Sequence, residues 1–288
     1  MRRLTFDRFT VTTELVPPRG ADADACRAHA AELATFADAI NITDGAGAAV
    51  RMSAVAATAF VAETGALPIV QLTVRDRNRI ALAAEVLGAA ALGAAGVLPL
   101  GGDPVAKGED PDAFEVRELD AAGLARLVAE LNAGRLPSGR DLDGAPPHLT
   151  IGAAAAPGMG PVAALGAKLD AGATFVQTQI TLDAAGFAAW MAEARELGYH
   201  ERAAFLPSIA IPASRAGAER LRSFGAQVTD EAVERAARGD GAEVAVEVLQ
   251  AVLEVEGVRG VHLIGLGQPV ERLQALAEAA RAAAAARP

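Results

Sequence analysis

The chain has 288 residues, 52% of them hydrophobic and only 4% aromatic, with 26 basic against 36 acidic side chains and a formal net charge of −10. That length suits one large α/β domain whose core is packed from small aliphatic side chains. The acidic balance, with no Lys/Arg cluster, argues against nucleic acid and anionic membranes as partners; one Cys excludes an intrachain disulfide, and four scattered His argue against a metal site.

The first element is a β-branched run over 9–16 that carries Glu14 near its end, in Thr13-Glu14-Leu15-Val16-Pro17-Pro18-Arg19. The two prolines stop the strand, because proline has no N–H for a ladder. Glu14 is thereby placed at the mouth of whatever the strand helps to build, where an unpaired carboxylate is costly unless it is used. Its plain structural reading is an ion pair with Arg19 or Arg51. A helical pattern over 23–36 follows and holds Cys26, which reads as a buried, inert thiol.

Further strand patterns lie at 39–43, 68–74, 96–100, 148–154, 174–180, 203–209 and 260–266. Helical patterns lie between them at 53–63, 79–92, 121–132, 161–169, 184–197, 214–224, 230–237 and 242–255, with a last one at 270–285. Gly65, Gly134, Gly198 and Gly225 stand where helices end. Phe187, Trp190 and Met191 share a helix and read as core. The tail 281–288 is Ala-rich and reads as a fraying helix end. Eight strands alternating with helices predict a single (β/α)8 barrel over 1–288, with an extra helix before strand eight. An open doubly wound sheet is the alternative, but Gly101-Gly102 is followed by Asp103-Pro104 and lacks the dinucleotide fingerprint. Met1-Arg2-Arg3 leads into Phe6, Asp7 and Arg8 rather than an apolar segment, so a cytoplasmic protein is expected.

Barrel enzymes carry their chemistry at the C-terminal ends of the strands. Glu14, Thr43, Asp44, Gln71, Thr73, Arg75, Asp76, Asp103, Gln177, Gln179 and Ser208 all fall there. Plain alternatives stand beside several of them: Asp103 as a turn residue, Thr43-Asp44 as a cap, Gln177 and Gln179 as a hydrogen-bonded structural pair; Lys168, nearby on a helix, has one as a solvated residue. Gln177 and Gln179 alternate along a strand, so both are expected on one face.

Taken in order, these segments resemble the methylenetetrahydrofolate reductase family. The matching motifs are Thr13-Glu14 before Pro17-Pro18, Asn41-Ile42-Thr43-Asp44, Gln71 through Arg79, Leu100-Gly101-Gly102-Asp103-Pro104, and Lys168-Leu169-Asp170-Ala171-Gly172-Ala173 followed by Gln177-Thr178-Gln179. The resemblance implies a folate-type pterin substrate and reduction of 5,10-methylenetetrahydrofolate to 5-methyltetrahydrofolate in one-carbon metabolism, usually by a flavoprotein whose FAD is reduced by NAD(P)H. It implies Glu14 as the acid, Asp103 as a catalytic anchor of the pterin, Gln177 and Gln179 at the pterin edge, and Thr43, Asp44, Gln71, Gly102 and Lys168 against the cofactor. A carboxyl in an apolar mouth suits the first role, because its raised pKa lets it give a proton near neutrality.

The departures from the family pattern gather around the flavin. Gln71 replaces a His, Gly101 replaces an Arg, 153–156 is all Ala, and Pro161, Ala164 and Ala167 stand where polar or basic residues are expected. Folate chemistry is therefore better supported than FAD, with hydride from NAD(P)H directly or from a deazaflavin as the other routes. A catalytically silent paralogue acting as a binding subunit is the alternative function, and a homo-oligomer is left open.

Overall fold

The computed structural model describes residues 3–287. Strand β1 (Thr10–Leu15) is followed by α1 (Ala23–Ala34), β2 (Ala39–Ile42), α2 (Ala54–Glu63), β3 (Leu67–Thr73), α3 (Arg79–Ala91), β4 (Gly96–Leu100) and α4 (Ala121–Asn132). The second half runs β5 (Thr150–Ala155), α5 (Gly166–Asp170), β6 (Phe175–Leu182), α6 (Ala184–Glu196), α7 (Tyr199–Arg202), β7 (Ala204–Ala210), α8 (Arg215–Ser223), β8 (Gln227–Val228), α9 (Asp230–Arg238), α10 (Gly241–Leu253), β9 (Gly260–Ile264) and α11 (Val270–Ala285). The strands β1 to β7 and β9 pair in parallel, and β5 also pairs with β6, so the ring closes as a (β/α)8 barrel. The two-residue β8 stands outside the ring, paired with Thr181 and Leu182 at the far end of β6.

Local chemistry starts and stops these elements as the sequence suggests. Asp22, Asn78, Asp120, Asp183, Ser214 and Thr229 each accept a backbone N–H at a helix N-terminus. Three elements differ from expectation: β8 and α7, which no pattern predicts, and the helix expected over 161–169. The pattern at 161–169 forms a 3-10 turn, Val162–Leu165, before the short α5. Gly166 joins them, and a Cβ there would lie 2.6 Å from the Tyr199 hydroxyl, so packing of the unforeseen α7 excludes a larger residue.

Strand side chains alternate between barrel axis and helix shell. Val11, Leu15, Ile40, Ile42, Val70 and Leu72 point outward and join the large core under the helices. Leu4, Ala39, Ile69, Leu98, Phe175, Ala204 and Leu206 form a second cluster on the axis. Phe6 and Phe175 stack 5.3 Å apart there. Gly152 faces this layer because any Cβ would lie 2.4 Å from the Phe175 ring. The N-terminal half of the barrel is thus filled largely by apolar side chains, and Glu14, Gln71 and Gln177 line the opening at the C-terminal end.

Candidate active site

A cleft of about 530 Å3 opens at the C-terminal mouth. Glu14, Gln71, Gln177, Gln179 and Lys168 line it, against an apolar wall of Leu98, Leu100, Ala154, Ala155, Ala156, Pro161, Val162 and Leu165. Its size is ordinary for a small-molecule site, and a few polar groups converge in an apolar setting, as such sites require. A larger hollow of about 700 Å3 lies at the opposite end, between the N-terminal segment and Arg202 and Arg259. That end of a barrel serves stability rather than chemistry.

Glu14 sits on β1 with its side chain toward the axis, two residues beyond Thr12, which bonds inward-facing His262. It makes no hydrogen bond or ion pair among the described residues. The two arginines that could have paired with it are engaged elsewhere: Arg19 bridges to Glu109, and Arg51 Nη1 donates to the Pro17 carbonyl at 3.0 Å. Desolvation raises the Glu14 carboxyl from 4.5 to about 7. A large protonated fraction at neutral pH follows, which is what a general acid needs.

Two buried polar contacts underlie Glu14. Thr12 Oγ1 and His262 Nδ1 are 2.8 Å apart. His262 is fully buried, burial lowers its pKa to about 3, and its Nε2 has no partner, so the ring is neutral at physiological pH. One layer higher, Asn41 Nδ2 donates to Gln177 Oε1. Strands β2 and β6 stand opposite each other in the ring, so this bond crosses the barrel and forms the floor of the cleft. The Asn41 Oδ1 has no partner and is buried.

The two glutamines of β6 do not act as the simple alternation suggests. Gln177 pairs with Leu206 and Ile180 with Ser208, so β6 holds one extra residue, a bulge, between them. Gln177 turns to the axis. Gln179 turns to the rim, where its Nε2 donates to the Phe224 carbonyl at 3.0 Å and its Oε1 accepts from the Ile180 N–H. Both line the cleft, from different directions. Lys168 reaches in from α5 and donates to the Ala154 carbonyl at 2.5 Å, and desolvation lowers its pKa. Gln71 is buried in the wall, its side chain without a hydrogen bond among the described residues.

The other expected site residues stand apart from this cleft. Asp103 is exposed on the rim, its carboxylate accepting from Gly47 N at 2.8 Å and its carbonyl from Arg75 at 3.1 Å. Asp44 is taken up by Arg77, through contacts of 2.7 and 3.0 Å, and by the Thr73 N–H at 2.8 Å. It lines a separate hollow of about 370 Å3 with Arg75, Asp76 and Arg77. Gly102 has φ +79°, and a Cβ would lie 3.0 Å from Arg75 Cβ and 3.1 Å from Thr73 Cβ, so only glycine fits that turn. Thr43 is buried beside Asp44 with an unpartnered hydroxyl. Thr43 and Gly102 do not line the cleft.

Asn41, Thr12, His262 and Trp190 were not expected at the site. Asn41 and His262 each interrupt an apolar strand, in Ala39-Ile40-Asn41-Ile42 and Val261-His262-Leu263, which is a legible signal of an inward polar residue. Trp190 is core on one side, as its helix implies, and wall of the cleft on the other.

A family model described as methylenetetrahydrofolate reductase matches residues 1–278. No curated relative matches the chain. Among solved structures, an uncharacterized protein from Clostridium thermocellum that binds two copies of 5-methyl-5,6,7,8-tetrahydrofolic acid superposes with a TM-score of 0.65 at 10% identity, over 94% of each chain. Tryptophan synthase from Mycobacterium tuberculosis gives a TM-score of 0.53 at 13% identity, over 97% of this chain and 93% of that one. At such identities the likeness is one of barrel fold. The family match spans all eight strands and the cleft they carry, and the chain belongs to the methylenetetrahydrofolate reductase family.

Proposed function

We propose that the chain, as a single barrel domain, reduces 5,10-methylenetetrahydrofolate to 5-methyltetrahydrofolate, with Glu14 as the proton donor. The observation that carries this reading is an unpaired carboxyl, raised to about 7, in an apolar cleft among amide side chains. The folate-binding barrel from Clostridium thermocellum supports the substrate class. Protonation at N10 by Glu14 breaks the bond from that nitrogen to the bridging carbon, leaving an N5 iminium. A hydride then adds to the methylene carbon and gives the 5-methyl group. Gln71, Gln177 and Gln179 supply hydrogen bonds to the polar edges of the pterin, and Leu98, Leu100 and the Ala wall exclude water from the iminium.

The residues present do not fit a tightly held FAD. Its diphosphate needs cations or free donors. Among the described residues that line the cleft, Lys168 is the one cation, already bonded to the Ala154 carbonyl, and the wall from Ala154 to Ala156 and from Pro161 to Leu165 carries no polar side chain. Hydride from a transiently bound NAD(P)H, whose diphosphate Lys168 would meet, is the donor we propose, with a deazaflavin as the other donor to be tried. One observation favours a silent, folate-binding role instead: Asp103, the residue implied to anchor the pterin, is held by Gly47 outside the cleft. Folate-dependent oxidation of NAD(P)H by the purified protein without added flavin tests the proposal. Folate binding without turnover, with every donor tried, supports the silent reading.

A further inference from the structure

The bond between Asn41 and Gln177 gives the cleft floor a direction. Asn41 is fully buried, and its amide nitrogen is committed to Gln177 Oε1. The carbonyl end of Gln177 is therefore turned toward Asn41, beneath the floor. Its Nε2 has no partner among the described residues and belongs to a side chain that lines the cleft. An amide held in this way presents only N–H groups upward. Without the brace, Gln177 could rotate and show either end.

Resting on the folate reading above, we infer that Asn41 sets the specificity of the floor: it locks Gln177 as a hydrogen-bond donor, so the bound pterin must present an acceptor, a ring carbonyl or an unprotonated ring nitrogen, at that point. Asn41 acts through Gln177 and is a positioning residue. It lies in register with Glu14 across the β1–β2 pair, so the strand beside the one that carries the acid is tied to the strand that reads the pterin.

The test uses 5-methyltetrahydrofolate as the probe, with its binding followed through the single tryptophan, Trp190, in the cleft wall. Gln177→Glu turns the donor into an acceptor at nearly constant shape. It is expected to weaken binding roughly a hundred-fold, since an acceptor then faces an acceptor. Asn41→Leu frees Gln177 to rotate and is expected to weaken binding about ten-fold. The exchange Asn41→Gln with Gln177→Asn moves one methylene from one arm of the brace to the other. It is expected to recover binding to within about three-fold of the unaltered protein, where either single change falls short. Because the exchange restores function only if the two amides act together, it stays informative should Asn41→Leu fail to fold. Tighter or equal binding by Gln177→Glu, or an exchange no better than the worse single variant, overturns the inference alone. Absence of binding by the unaltered protein overturns the folate reading and the inference with it.

Discussion

Glu14→Gln separates what the acid contributes to chemistry from what it costs the fold. In the native barrel the carboxyl ionises near 7, whereas in the unfolded chain it ionises near 4.5. The unfolded state thus loses its proton first as pH rises, and ionisation of Glu14 works against folding. Below 4.5 both states are protonated and the residue is neutral in its effect. Above 7 the native state holds a desolvated carboxylate. At about 1.4 kcal/mol per pKa unit the penalty is about 3.4 kcal/mol, or roughly 2 after allowance for solvent entering through the mouth. Glutamine keeps the shape and carries no charge. The variant should match the parent in stability near pH 4.5 and exceed it by roughly 2 kcal/mol at pH 8.5, measured by urea unfolding followed through Trp190. Its turnover should fall by about 10²–10⁴, the usual contribution of a general acid, with folate binding largely kept. The same stability difference at both pH values, or turnover within about three-fold of the parent, would refute the assignment.

The remaining expectations concern the supports of the cleft. His262 is desolvated to a pKa of about 3, so its ring resonances should not move between pH 5 and 8; a titration midpoint near the ordinary 6.5 contradicts its burial as a neutral partner of Thr12. Asp44→Asn removes the charge that holds Arg77 in a pair whose side chains are only 8% and 18% exposed. It should lower stability by about 3 kcal/mol in thermal or urea unfolding, and a change below about 0.5 kcal/mol would show that the pair is idle. Gly152→Ala drives a Cβ into the Phe175 ring and should cost about 1–3 kcal/mol; an unchanged melting temperature argues against the close packing of that layer. Lys168→Met should raise the KM for a dinucleotide hydride donor about ten-fold while leaving that for folate unchanged, and equal effects on both would remove the lysine from the donor's side of the cleft.

The barrel was legible because most of its strands are short apolar runs rich in β-branched residues and most of its helices are Ala-rich, and these patterns do not depend on distant partners. Glu14 was legible for the same local reason: two prolines end its strand and leave a carboxyl at the mouth. The rest of the site depends on facts no local pattern contains. The bulge after Gln177 sends Gln179 to the rim, and one extra residue in β6 relative to β7 leaves no mark in composition. Asp103 and Asp44 fall at strand ends as expected, but which partners claim them is decided by Gly47 and Arg77, on other loops. Asn41 could have been found from its polar interruption of β2. Its partner could not, because the bond spans 136 residues and the width of the barrel.

Oxidation of NADH or NADPH by the purified protein, with and without 5,10-methylenetetrahydrofolate, alongside its visible spectrum, tests the chemistry of the cleft most directly. The cleft predicts a colourless protein without stoichiometric flavin, folate-dependent oxidation of a nicotinamide donor, and 5-methyltetrahydrofolate as product. A tightly held flavin, or a protein that binds folate yet oxidises no donor, would contradict it.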